Sequence, residues 1–237
     1  HPAHGGHQGR TVSPPELTAL IDGIGALGLW PRCDGILSGY LGGAGAGPVI
    51  LDAAQRVRAA RPDTLFLCDP VFGDNGSIYA EPGIIDFFRN DGIAAADVTT
   101  PNAFEAAHLT GVGVTDVDSA RTAAISLCRK GPRIAAVTGI RANGSISTVA
   151  ATPDESWLVT TPEIVGASHG AGDLFAALFL GHLLKRRPVP DALSEAVSAV
   201  HAVVDLAQHA DSVDLPLVSG RRLLLDPPEH FPAQSIS

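Results

Sequence analysis

Methionine is absent from this chain of 237 residues, the first position included, so the sequence is read as lacking its native start, and a removed targeting segment stays open. Cysteine is scarce: Cys33, Cys68 and Cys128 lie far apart with no C-x-x-C pair. That argues against a disulfide framework or a zinc site and fits a reduced cytoplasm. No long hydrophobic run occurs. The most apolar stretch, Leu174 to Leu184, is too short to span a bilayer and contains His182, so it reads as a buried helix and no membrane contact is expected. Basic residues are few, with 16 Lys and Arg against 25 Asp and Glu and a formal net charge of -9. The longest basic cluster, Lys185-Arg186-Arg187, reads as a solvated helix end, and a nucleic-acid partner is excluded.

Several motifs are also missing. There is no G-x-x-x-x-G-K-[ST], so ATP, if used, is not held by a P-loop. Gly42 to Gly47 looks like a dinucleotide loop, yet Pro48 occupies the last glycine position of the only near register. His1, His4 and His7 recur every third residue in a glycine-rich end, a weak basis for a metal site. No solenoid repeat, heptad run or low-complexity linker divides the chain.

What is present reads as one domain over residues 1–237, with a core at 13–225 and a loosely held tail at 226–237. Ser13-Pro14-Pro15-Glu16 forms a capping box before a helix marked by Leu17, Leu20, Ile21, Ile24 and Leu27. Short apolar strands then alternate with helices: strand Gly35 to Leu37, a helix through Val57, strand Leu65 to Cys68, a helix near Ile84 to Arg89, and strand Val98 to Thr100. Helices Ala103 to Thr110 and Asp118 to Lys130 precede strand Ile134 to Thr138. Two antiparallel strands follow, around Ser145 to Ala150 and Trp157 to Thr160. Two long helices, Ala171 to Lys185 and Asp191 to Gln208, are separated by Pro188 and Pro190. This alternation predicts an α/β fold with a mostly parallel central sheet and helices on both faces.

Ligands of parallel sheets collect at the carboxyl ends of the strands. Here those ends carry Asp69 and Asp74, then Thr100-Pro101-Asn102, then Thr138-Gly139. Asp69 and Asp74 alone could be turn formers. Asn102 and Glu105, three apart at a helix start, either face the crevice or cap the helix. The sharpest pattern is Gly170-Ala171-Gly172-Asp173, which opens an apolar helix. Small residues let backbone amides approach an anion, the helix dipole favours phosphate there, and Asp173 is placed to take a proton from an attacking hydroxyl. The alternative is an Asp that only complements the dipole. A rival motif overlaps it: Gly166 to Gly170 matches G-x-S-x-G, with Ser168 as nucleophile of a serine hydrolase. The weak, proline-containing strand before it and the absence of an oxyanion loop argue against that rival.

With these residues in hand, the chain resembles the pyridoxal kinases of the ribokinase-like superfamily over roughly Ser13 to Val218. The resemblance rests on Ser38-Gly39-Tyr40-Leu41-Gly42, Asp69 to Asp74, Ala96 to Glu105 and Gly170 to Ala177. It implies a three-layer sandwich in which Asp173 deprotonates the 5'-hydroxymethyl group of pyridoxal while Gly170, Ala171 and Gly172 hold the transferring phosphoryl oxygens. It also implies that Tyr40 and His1 contact the substrate. Asp74, Asn102, Glu105 and Thr138 would serve ATP and magnesium, and Asp69, Thr100 and Glu105 would lie at metal positions, including one for potassium. A cytoplasmic homodimer is the expected form. The family's first strand has no counterpart here, residues 1–12 matching only a loop remnant, so the apolar faces beside it are expected to be exposed. A hydroxymethylpyrimidine or other small-alcohol kinase, or a silent relative, would share the scaffold.

Overall fold

In a computed structural model, residues 10–166, 169–210, 212 and 214–237 are described. Helix α1 (Pro14–Ala26) starts at the capping box, where the Glu16 carboxylate accepts from the Ser13 N–H at 3.0 Å and from its hydroxyl at 2.7 Å. Then come β1 (Gly35–Ser38), α2 (Ala46–Ala60), β2 (Leu65–Cys68) and a small hairpin of β3 (Gly73–Asp74) and β4 (Ser77–Ile78). Helix α3 (Pro82–Phe87) runs through a π-helical turn into α4 (Ile93–Ala95), followed by β5 (Val98–Thr99), α5 (Ala103–Thr110), α6 (Val117–Cys128) and β6 (Ile134–Ala142). The chain closes with β7 (Ser145–Ala151), β8 (Ser156–Pro162), α7 (Ala171–Leu184), α8 (Val189–His209) and β9 (Gln234–Ser235).

The main sheet has the order β1-β2-β5-β6-β7-β8-β9. β1, β2, β5 and β6 pair in parallel, and β6 through β9 pair antiparallel. Strand alternation sorts the buried side chains into two layers. Phe66, Cys68, Ala135, Val137, Val149 and Ala151 face the layer of α2, α3, α5 and α6. Leu67, Val98, Ala136, Ala150 and Val159 face α7 and α8. Leu67, Phe66, Phe72 and Phe179 are fully buried, each worth about 1.5–3 kcal/mol of apolar burial. The three-layer α/β sandwich expected from the sequence is therefore present.

Four features differ from the expectation or extend it. β6 does not stop at Thr138 but continues to Ala142 past a register shift between Val137 and Ile140. Gly139, at φ +76°, supplies the left-handed backbone that this bulge needs. The β3–β4 hairpin turns on Asn75-Gly76, both at positive φ, the combination that a two-residue type I′ turn requires. Pro190 does not separate the last two helices; Pro188 caps α8 and Pro190 sits in its first turn. The tail is also not loosely held. The Phe231 N–H donates to the buried Ser198 hydroxyl at 2.9 Å, its carbonyl accepts from the Ser194 hydroxyl at 2.7 Å, and β9 adds to β8.

Among the described residues β1 pairs only with β2. Leu37 on that strand, Leu20 and Ile24 on α1, and Leu27 at its C-terminal cap are exposed.

Candidate active site

The parallel order of β1, β2, β5 and β6 brings the carboxyl ends of four strands to one edge. Backbone bonds carry the pairing beyond the strands themselves. The Asp69 N–H donates to the Ser38 carbonyl at 2.8 Å, and the Thr138 N–H donates to the Pro101 carbonyl at 3.0 Å. A parallel bridge links Asn102 to Thr138. Asp69, Thr100, Asn102 and Thr138 are thus neighbours in one rigid row.

Two carboxylates are buried in this row. Asp69 is 5% exposed and accepts from the Thr100 hydroxyl at 2.9 Å. Burial raises its pKa well above the usual carboxylate range, and the charges of Glu105 and Asp173 add to the rise against the opposing Thr100 bond. Glu105 is 3% exposed. One of its oxygens accepts from the N–H groups of Phe72 at 3.0 Å and Gly73 at 3.3 Å, and the other accepts from the Asn102 N–H at 2.9 Å. Burial nevertheless pushes Glu105 up to about 7, with these three bonds holding it down and Asp74 pushing further up.

Asn102 caps α5 and also reaches across to the hairpin. Its side-chain oxygen accepts from the Glu105 N–H at 2.9 Å, and its amide donates to the Gly73 carbonyl at 2.8 Å. Helix α5 and the hairpin are thereby clamped together, and the hairpin presents Asp74 at its exposed tip.

Across from this row stands the start of α7. Gly170, at φ +93°, caps the helix, and Asp173 lies in its first turn, exposed. A Cβ on Gly172 would meet nothing within 4 Å, so the backbone there is open to a ligand. A Cβ on Gly39 would lie 3.6 Å from an Asp173 carboxylate oxygen, which places the Ser38-Gly39-Tyr40 turn directly against Asp173. The Tyr40 ring stands 6.5 Å from that of Tyr79, and both are exposed.

Tyr79 was missed by sequence reasoning. Partial burial raises its phenol pKa although the ring is half open to solvent, and the charges of Glu105, Asp74, Asp69 and Asp173 raise it further, so it faces the same acidic cluster. The Asn75-Gly76 pair four residues before it was the available signal, because the hairpin that pair specifies returns the chain to the crevice.

The chemistry of this donor set suits a cation. Two of the groups acting on the buried Asp69 carboxylate, Glu105 and Asp173, are themselves acidic, and a hard cation accepts such oxygen ligands. Among the described residues no three His, Cys, Asp or Glu side chains converge as a ready metal cage.

His1 and the His1, His4, His7 series lie outside the described residues, as does Ser168 of the hydrolase motif. His169 beside it forms a parallel bridge with Asp214.

A sequence profile described as phosphomethylpyrimidine kinase matches residues 42–217. The pyridoxal kinase PdxY of Rubrobacter xylanophilus is 40% identical over 243 residues, spanning 100% of this chain and 84% of that protein. The pyridoxal kinase PdxY of Granulibacter bethesdensis is 37% identical, spanning 99% and 85%. Among solved structures, the pyridoxal kinase from Leishmania donovani in complex with ADP and ginkgotoxin superposes with a TM-score of 0.93 at 23% identity, covering 100% of this chain and 86% of that one. The sheet order and the two helical layers are those of a ribokinase-like α/β protein. Within that class, the chain belongs to the pyridoxal kinase family.

Proposed function

We propose that this protein is an ATP-dependent pyridoxal kinase that transfers the γ-phosphoryl group of ATP to the 5'-hydroxymethyl oxygen of pyridoxal, pyridoxine or pyridoxamine. The observation that carries the reading is the placement of Asp173 in the first turn of α7, against the Gly39-Tyr40 turn and beside a glycine-lined helix start.

Phosphoryl transfer depends on positioning and charge stabilisation. The vitamer ring lies on Tyr40. Its hydroxyl oxygen attacks the γ-phosphorus, Asp173 takes the hydroxyl proton, and the bond from phosphorus to the ADP oxygen breaks. The amides around Gly170, Ala171 and Gly172 receive the phosphoryl oxygens at the positive end of the α7 dipole. Asp74, Asn102, Glu105 and Thr138 line the ATP side. Asp69, Thr100 and Glu105 would hold Mg2+ and a K+ ion, which supply positive charge against the phosphates. The protein acts in the cytoplasm as a homodimer.

The family profile described as phosphomethylpyrimidine kinase supports a second reading on the same scaffold, with a hydroxymethylpyrimidine as acceptor. Substrate competition separates the two. ADP release is measured with Mg2+ and K+ present and each acceptor supplied alone. Pyridoxal is expected to give the higher kcat/KM; a higher value with the pyrimidine would overturn the assignment.

A further inference from the structure

At the far end of α7 from Asp173 lies a cavity of about 270 Å³. Asp173 and Lys185 are twelve residues apart on one helix, so the cavity is about 18 Å from the proposed phosphoryl-transfer site. Its floor is kept open by small residues, Ala177 and Gly181, and a Cβ on Gly181 would meet nothing within 4 Å. Leu178, Leu224, Leu225 and Pro227 give apolar walls. The remaining lining is charged or titratable: His182, Lys185, Arg187, His230 and a single carboxylate, Glu195.

Glu195 is already shared. Its oxygens lie 2.7 Å from His182 Nδ1 and 3.4 Å from an Arg187 guanidinium nitrogen. The cations of the cavity therefore outnumber its one carboxylate even with both histidines neutral. The turn that aims Arg187 is itself unusual. Arg186 takes φ +60°, a left-handed position normally given to glycine at a helix end. Two backbone bonds hold the turn, from Arg186 N–H to the Leu183 carbonyl at 2.9 Å and from Arg187 N–H to the His182 carbonyl at 3.2 Å. The run read from sequence as a solvated helix end thus folds two of its three cations around a concave, partly apolar surface.

The chain contains only two lysines, Lys130 and Lys185. The Lys130 ammonium donates to the Leu109 carbonyl, whereas Lys185 is exposed and lines the cavity. An apolar lining opened by two small residues, a guanidinium and a primary amine together match a small aromatic ring that carries a phosphate and an aldehyde.

We propose that this cavity is a second binding site for an aromatic aldehyde phosphate, the product class of the kinase reaction, held with its ring over Ala177 and Gly181, its phosphate toward Arg187 and His230, and its aldehyde carbon joined to Lys185. The choice of ligand rests on the function proposed above. The neutral Lys185 amine adds to the carbonyl carbon, the carbinolamine loses its oxygen as water, and a C=N bond remains. No oxidant or reductant is needed. The site retains a reactive aldehyde away from the phosphoryl-transfer crevice.

The test uses the full chain incubated with pyridoxal 5'-phosphate, followed by the imine absorption band, borohydride reduction and peptide mass mapping. The expected result is a saturable adduct of one per chain on Lys185, lost in Lys185→Gln. Half-saturation is expected to rise about tenfold or more in Arg187→Ala, the loss of one charge-assisted phosphate contact. Pyridoxine 5'-phosphate, which has the phosphate without the aldehyde, should compete, and pyridoxal, which lacks the phosphate, should bind far more weakly. Turnover of Lys185→Gln should match that of the unaltered protein. Labelling that fails to saturate, or that falls equally on Lys130 or the N-terminal amine, would overturn the proposal. Because the aldehyde phosphate is supplied ready-made, an inactive chain that still forms the Lys185 adduct sinks only the kinase reading. An active chain without the adduct sinks only this one.

Discussion

Two carboxylates of the crevice, Glu105 and Asp173, live under opposite physical regimes. Glu105 is buried, and both of its oxygens are engaged by backbone N–H groups from two different loops. Asp173 is exposed on the first turn of α7 and, among the described residues, has no side-chain hydrogen bond. A carboxylate fixed by three backbone bonds keeps its charge in one place and holds the β2 and β5 loops at fixed separation. A carboxylate left free costs the fold little and can meet an incoming hydroxyl. The crevice thus has a built half, which fixes charge and geometry, and an open half, to which the proposed proton transfer is assigned.

The largest expected effect comes from removing the free member. Asp173→Ala should lower kcat by roughly 10²–10⁴-fold, the usual contribution of a general base, with little change in melting temperature because, among the described residues, its side chain makes no hydrogen bond to lose. Glu105→Ala should behave in the opposite way. It leaves the N–H groups of Phe72, Gly73 and Asn102 without their acceptor, and this outweighs the relief of repulsion with Asp69. A net loss of about 2 kcal/mol in stability is expected, read by chemical denaturation, with turnover falling as the loops separate.

That division was only partly legible in the sequence. The Asn102-to-Glu105 spacing announced a cap, and Gly170 to Asp173 announced a helix start, because both depend on residues adjacent along the chain. The contacts of Glu105 with Phe72 and Gly73 span more than thirty positions, and local pattern contains no trace of them. The tail failed for the same reason. It lacks periodicity, yet Ser194 and Ser198, from the middle of α8, supply its anchors. Tyr79 lay outside the quoted motifs, and only the hairpin geometry brings it to the acidic cluster.

Smaller effects sharpen the comparison. Tyr40→Ala on the open side should raise KM for pyridoxal about three- to tenfold, the range of one aromatic contact, with kcat much less affected; steady-state kinetics read both. Ser198→Ala, far from either carboxylate, leaves the buried Phe231 N–H unpaired. It should cost about 1 kcal/mol in denaturation experiments, with kcat and KM unchanged.

The most direct test sets turnover beside stability for Asp173→Ala, measuring pyridoxal-dependent ATP consumption with Mg2+ and K+ alongside the melting temperature. The account predicts that turnover is lost while the melting temperature stays that of the unaltered protein. Turnover within a few-fold of the unaltered protein, in a variant that folds equally well, would contradict the assignment of Asp173 as the base.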